Sequence, residues 1–223
     1  MIEIIPAIMP KDYEHLDEMM SLFVGVVPLV QLDIMDGKFV PARTWPYPKD
    51  AHFDAISKEE EGMPRWEEIN FEVDLMVNDP EAVVSKWVSA GASRVIVHME
   101  SMKDFEVIRS AVPEGLIELG LAINTATPLS AVEPYIDHID FVQCMGIARI
   151  GFQGEAFDER VLEHVRALRA THPDLPISID GSVNFETAKR LVDAGATRLV
   201  SGSAILEADD FTQAIAHFEN LVS

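Results

Sequence analysis

Eight short runs of β-branched and aliphatic residues recur along this 223-residue chain, and each is followed by a stretch with helical spacing. No other feature restricts the fold as tightly, because a strand-helix-strand alternation returns the chain for one more parallel strand each time. The predicted strands are Ile2 to Ile8, Leu29 to Ile34, Asn70 to Leu75, Arg94 to His98, Ile117 to Ile123, His138 to Met145, Leu175 to Asp180 and Thr197 to Ser201. Helical stripes fall between them: Leu16, Met19, Met20 and Phe23; Val84, Trp87 and Val88; Phe105 and Ile108; Val161, Leu162, Val165 and Leu168. Phe185, Ala188, Leu191 and Val192, then Phe211, Ala214, Ile215, Phe218 and Val222, complete the series. Asp79-Pro80 and Thr127-Pro128 read as capping residues before a helical first-position proline, and Asn184 reads as a cap after the seventh strand. A doubly wound open sheet would use five or six strands. Eight units in this length predict an α/β fold, a single (β/α)8 TIM barrel domain over residues 1–223.

The size supports such a core. A chain this long buries roughly 70% of its extended surface, and 48% of its residues are apolar. Its 38 acidic residues against 17 basic ones give a net charge of −21, with Lys and Arg scattered singly, so nucleic-acid binding is not expected. The longest apolar stretch, Leu22 to Val30, is far short of the ~20 residues of a membrane span. The opening Met-Ile-Glu-Ile-Ile-Pro has no basic region or cleavage pattern, and Cys144 is the only cysteine, so a cytoplasmic protein without disulfide or zinc finger is expected.

Residues 87–96 echo residues 191–200, each with an Ala-Gly-Ala turn whose glycine can end a helix in the left-handed region. The segment 42–68 is irregular. Within it Trp45 and Tyr47 suit a lid or a subunit contact in a homo-oligomer, whereas Phe53 and Trp66 suit packing of an extra helix starting near Asp50.

Alternation along a strand sends every second residue inward. It turns Gln31, Asp33 and Met35 of the second strand, Glu72, Asp74 and Met76 of the third, and Ser178 and Asp180 of the seventh toward the barrel interior. Asp33, Asp74 and Asp180 thus form a carboxylate cluster at the rim, and crowded carboxylates must share a proton, meet a cation or pair with a base. Gln31 adds an oxygen ligand or an amide donor. Such a hard set suits Mg or Mn over Zn. His98 points inward on the fourth strand, with Glu100 beyond it; a packed, hydrogen-bonded histidine is the simpler reading. An anion site is expected where Gly181-Ser182 and Gly202-Ser203 follow the last two strands, with Gly151, Phe152, Gln153 and Gly154 adding donors above it.

With these residues set out, the sequence resembles the ribulose-phosphate 3-epimerase family over essentially its whole length. The resemblance is carried by Leu32-Asp33-Ile34-Met35-Asp36-Gly37-Lys38-Phe39-Val40-Pro41, by Val73-Asp74-Leu75-Met76-Val77-Asn78-Asp79-Pro80-Glu81, and by Gly120 to Leu129. It closes with Asp180-Gly181-Ser182-Val183-Asn184, Ala194-Gly195-Ala196 and Ser201-Gly202-Ser203-Ala204-Ile205. The resemblance implies a barrel that interconverts ribulose 5-phosphate and xylulose 5-phosphate, with a divalent metal held by two His and two Asp. It implies that Asp33 and Asp180 are metal ligands and the acid/base pair. Met35, Met76 and Met145 then line the pocket, and Gly151 to Gly154, Gly181-Ser182 and Gly202-Ser203 grip phosphate.

The chain departs from that pattern at the metal. The family histidines fall on Gln31 and Asp74. The first strand ends Pro6-Ala7-Ile8-Met9-Pro10, without the family's hydroxyls; the second Gly after the strand-seven aspartate is Ser182; and the strand-six loop lacks the family Pro and brings Arg149 near the mouth. A sugar-phosphate epimerase or isomerase, passing through an enediolate between Asp33 and Asp180, is the expected function, with Lys38 or Arg149 as other sources of positive charge. The alternatives are a phosphosugar lyase or aldolase, for which no strand lysine is evident, and a non-catalytic phosphosugar-binding barrel.

Overall fold

The computed structural model describes residues 2–47, 50–152 and 154–222. Its strands are β1 (Glu3–Ile8), β2 (Leu29–Met35), β3 (Asn70–Met76), β4 (Arg94–His98), β5 (Glu118–Ile123), β6 (Phe141–Met145), β7 (Ile177–Asp180) and β8 (Arg198–Ser201). They close into a barrel in chain order, β1 to β8, with parallel ladders. Every predicted strand is present, with ends trimmed by up to three residues or extended by one. The chain divides into two compact units: Ala7–Gly120, and Met1–Pro6 with Leu121–Ser223.

In the Ala7–Gly120 unit the helices are α1 (Tyr13–Phe23), α2 (Ala51–Ile56), α3 (Val84–Ser89) and α4 (Phe105–Ala111). Carboxylates start three of them. Asp12 accepts from His15 N–H, Asp50 from His52 and Phe53 N–H, and Asp104 from Glu106 N–H. Asp79 makes no such cap, because Pro80 opens a 3-10 turn (Pro80–Ala82) before α3 begins. The helical stripes bury Leu16, Met20 and Phe23 of α1, Val84 and Trp87 of α3, and Phe105 and Ile108 of α4.

The irregular 42–68 segment is nailed down by one aromatic cluster. Trp45 meets Trp87 edge-on at 6.0 Å and Phe53 at 5.3 Å, with Tyr13 at 6.1 Å; such pairs add about 0.5–1.5 kcal/mol each beyond area burial. Trp45 is 2% exposed, so it is core rather than lid or contact surface, while Trp66 is 63% exposed and packs no extra helix. The burial of the two tryptophans is thus the reverse of that expected: the backbone of Trp45 is tied to Pro10 O at 2.8 Å, which draws its ring inward.

The second unit carries α5 (Arg160–Thr171), α6 (Ala188–Ala194), α7 (Ser203–Leu206) and α8 (Phe211–Val222). The connection from β5 to β6 is two 3-10 stretches, Leu129–Ala131 and Glu133–His138, in place of an α-helix. Pro128 takes the cap position expected of Thr127, and Pro134 removes a further backbone donor near the start of the second stretch. Phe185 lies ahead of α6, 37% exposed, against Phe218 and His217. Asn184 accepts from Glu186 and Thr187 N–H just before α6.

The internal echo is a repeated helix stop, one copy in each unit. Gly91 N–H bonds Val88 O and Ala92 N–H bonds Trp87 O; Gly195 N–H bonds Val192 O and Ala196 N–H bonds Leu191 O. The two glycines have φ of 91° and 122°, values that favour a residue without Cβ. Among the described residues no helix is long and apolar enough to cross a membrane.

Candidate active site

β2 and β3 run in register, and this alignment builds half of the site. Gln31 faces Glu72 across the ladder, Asp33 faces Asp74, and Met35 faces Met76. All six side chains are buried. The lowest rung is neutralised: Arg94 reaches Glu72 at 3.2 Å and Glu118 at 3.3 Å. One rung up, Gln31 Nε2 donates to Asp33 Oδ1 at 2.8 Å, so of the two roles open to Gln31 the amide-donor role is the one seen.

Asp74 is served from β4. His98 Nε2 lies 2.9 Å from Asp74 Oδ1, and its other ring nitrogen is 3.7 Å from Glu100. Phe39 leans on the ring at 5.4 Å. Burial alone would pull the imidazole down; the Asp74 carboxylate outweighs it, with Glu100 adding, and lifts His98 to about 10. His98 is therefore the hydrogen-bonded residue expected from its strand position, paired with a site carboxylate.

Two residues that sequence reasoning missed hold the rim of this half. Asp36 accepts from Lys38 and Phe39 N–H through Oδ1 and from Asn78 N–H through Oδ2, tying the end of β2 to the loop after β3. Thr44 Oγ1 donates to Asp33 O at 2.7 Å and accepts from Met35 N–H at 2.9 Å. The Asp36-Gly37 pair was the available signal, since Asp before Gly favours such a turn. Burial and the Asp36 carboxylate push the Tyr47 hydroxyl up to about 12, so it stays neutral. Lys38 is exposed.

In the other unit, Met145 and Asp180 are register partners at the ends of β6 and β7, Met145 buried and Asp180 partly so. Gly146 N–H donates to Asp180 O at 2.6 Å. A Cβ on Gly146 would press into the Gly181 carbonyl, so only glycine allows these loops to meet. Gly181 and Ser182 both have positive φ, 96° and 54°. The Ser182 hydroxyl donates to Glu155 O at 2.5 Å, pinning the β6–α5 loop to the β7–α6 loop. Gly151 and Gly154 also have positive φ. Phe152 is exposed beneath the Arg149 guanidinium, and Arg149 pairs with Glu155. Gln153 lies outside the described residues. Gly202 precedes the short helix α7, which Ser203 opens.

One carboxylate oxygen from each of Asp33, Asp74 and Asp180 lies within 4.8 Å of the other two. The cluster has the donor chemistry of a divalent-metal site. All three candidate ligand atoms are carboxylate oxygens. Both positions at which the resemblance implied histidine hold other donors, an amide and a carboxylate.

Solved structures share this fold. A 3-hexulose-6-phosphate synthase superposes with a TM-score of 0.71 over 100% of both chains at 19% identity. KGPDC from Streptococcus mutans gives 0.69 over 100% of this chain and 98% of that one at 13% identity. Sequence relatives are nearer. Ribulose-phosphate 3-epimerase of Bacillus subtilis (strain 168) is 29% identical over 223 residues, covering 97% of each chain. The Aquifex aeolicus (strain VF5) enzyme of the same name is 30% identical over 210 residues, covering 92% of this chain and 90% of its own. The family model for the ribulose-phosphate 3 epimerase family matches residues 3–206, nearly the whole barrel. This chain, with an all-aspartate set where the resemblance implied two histidines, belongs to that family.

Proposed function

We propose that this protein is a ketose-phosphate epimerase of the ribulose 5-phosphate type, with Asp33 and Asp180 as its acid/base pair. Family membership gives it an isomerase-like enzymatic role toward a phosphorylated sugar. The observation that carries the finer reading is the approach of Asp33, Asp74 and Asp180 to within 4.8 Å of one another.

Epimerisation beside a ketone needs a base on one face and an acid on the other. In this reading, one ionised carboxylate of the pair takes the carbon-bound proton. The C–H electrons form the enediolate double bond, and the carbonyl electrons move to oxygen. The other carboxyl, protonated, returns a proton to the opposite face, and the roles reverse for the back reaction. Gln31 holds the Asp33 carboxylate in place. Met35, Met76 and Met145 exclude water from the reacting carbons, and small residues at Gly181-Ser182, Gly202-Ser203 and Gly151 to Gly154 let backbone N–H groups approach the phosphate. Asp33, Asp74 and Asp180 would hold a divalent ion, which when bound supplies positive charge to the developing oxyanion.

The test is solvent exchange. Ribulose 5-phosphate and other phosphoketoses are incubated with the protein in deuterated water with Mg2+, Mn2+, Zn2+ or chelator, and deuterium beside the carbonyl is followed. Exchange at one carbon, together with the epimeric product, is the expected result. Absence of exchange from every phosphoketose under every metal condition refutes the epimerase reading. Tight phosphoketose binding without exchange would instead identify a non-catalytic binding barrel.

A further inference from the structure

We infer that His98 is a positioning residue for Asp74, holding that carboxylate in the orientation it needs to bind a divalent ion. The inference rests on the proposed metal-assisted epimerase reading and concerns a residue that this reading leaves idle.

Three observations support it. His98 and Asp74 are both fully buried, on neighbouring strands, and His98 Nε2 is 2.9 Å from Asp74 Oδ1. A fully buried carboxylate is costly unless its oxygens find donors, and an imidazole N–H toward one oxygen restricts the rotation of the carboxylate. The ring also has Glu100 at 3.7 Å from Nδ1, an ion-pair distance beyond hydrogen-bond reach, and Phe39 packed against it at 5.4 Å. A side chain kept only to fill space would not need its Nε2 at hydrogen-bond distance from a site carboxylate. Asp74 is also the register partner of Asp33, so a rotated Asp74 would disturb the cluster at its centre. Outer partners of this kind change metal affinity by about 10–100-fold when removed.

The experiment uses the full chain and Mn2+ alone, followed by the loss of the free-ion paramagnetic signal. His98→Leu removes the donor at similar volume, and His98→Gln keeps an N–H at comparable reach. The expected result is a Mn2+ dissociation constant raised about 10–100-fold in His98→Leu and largely restored in His98→Gln. Phosphoketose exchange by His98→Leu should recover at saturating Mn2+, separating a lost ion from a lost fold. If His98→Leu folds, by circular dichroism and thermal unfolding in chelator, and binds Mn2+ as tightly as wild type, the role is refuted. Equal weakening in His98→Leu and His98→Gln also refutes it, since packing rather than donation would then be responsible. If the wild type neither binds Mn2+ nor exchanges a proton, the parent reading falls and takes this assignment with it; wild-type binding with unaltered variants overturns this assignment alone.

Discussion

Asp33 and Asp74 stand directly opposite one another on neighbouring parallel strands, and each meets a donor on its own side: Gln31 at 2.8 Å for the first, His98 at 2.9 Å for the second. Burying two carboxylates at one rung is costly unless each finds a donor. The donors offset part of that cost, and they make the pair a prepared feature of the barrel.

Replacing Asp33 by Asn removes the proposed base while preserving shape and the amide contact. Proton exchange beside the ketose carbonyl should fall by about 10²–10⁴-fold, with the thermal unfolding midpoint kept. Deuterium uptake by mass spectrometry reads the first quantity and calorimetry the second.

Gln31→His tests the donor set. An imidazole adds a softer nitrogen ligand, which shifts preference toward Zn2+. Competition between Zn2+ and Mn2+ should show Zn2+ displacing Mn2+ at lower concentration than in wild type. An unchanged displacement curve would mean that residue 31 does not face the ion.

Trp87→Ala should cost about 3–5 kcal/mol of stability, because Trp87 is fully buried and touches both Trp45 and Phe53. Urea unfolding measures it. Trp66→Ala, at a ring 63% exposed, should cost far less.

Asp158 contributes to the acid limb of stability. Hydrogen bonds from Arg160 chiefly, and from Thr125, hold its carboxyl well below the usual carboxylate range. A carboxylate depressed by folding contributes fully above its unfolded value, near 3.8, and the contribution drains away as pH falls below it. The stability gap between wild type and Asp158→Asn should thus be largest at neutral pH and shrink toward pH 2. Denaturant melts across that range provide the measurement.

Gly146→Ala should move Asp180. The added methyl meets the Gly181 carbonyl, backbone that cannot swing aside, and overpacking of this kind costs about 1–3 kcal/mol. Lowered stability and slowed exchange should appear together; loss of stability with full exchange would show that the Gly146–Asp180 bond does not set the carboxylate.

The strands were legible because β-branched runs and their period of two are local properties, and for the same reason alternation turned Asp33 and Asp74 inward; that they share one height follows from the register of β2 against β3. The connection from β5 to β6 was not legible. Its Thr-Pro looks like a helix start, yet Pro128 and a second proline six residues on tighten the backbone into 3-10 turns. Trp45 and Trp66 carried no local cue to their burial, which depends on where Pro10, Phe53 and Trp87 lie in space. The donors behind the carboxylates were equally hidden. His98 was visible as an inward histidine, but its pairing with Asp74 arises from the register of β3 against β4. Gly146 reads as one more small loop residue until Gly181 is seen against it.

The Thr44 hydroxyl, bonded to the Asp33 carbonyl on one side and the Met35 amide on the other, has an evolutionary implication. Hairpin-like excursions are usually where a barrel lineage tolerates length variation, but here the returning arm of the loop is stitched to the very peptide that carries the carboxylate. An insertion between positions 36 and 44 would shift that stitch and be felt by the chemistry at once. New substrate preferences in this lineage should therefore arise by substitution within a loop of constant length, with growth confined to other connections.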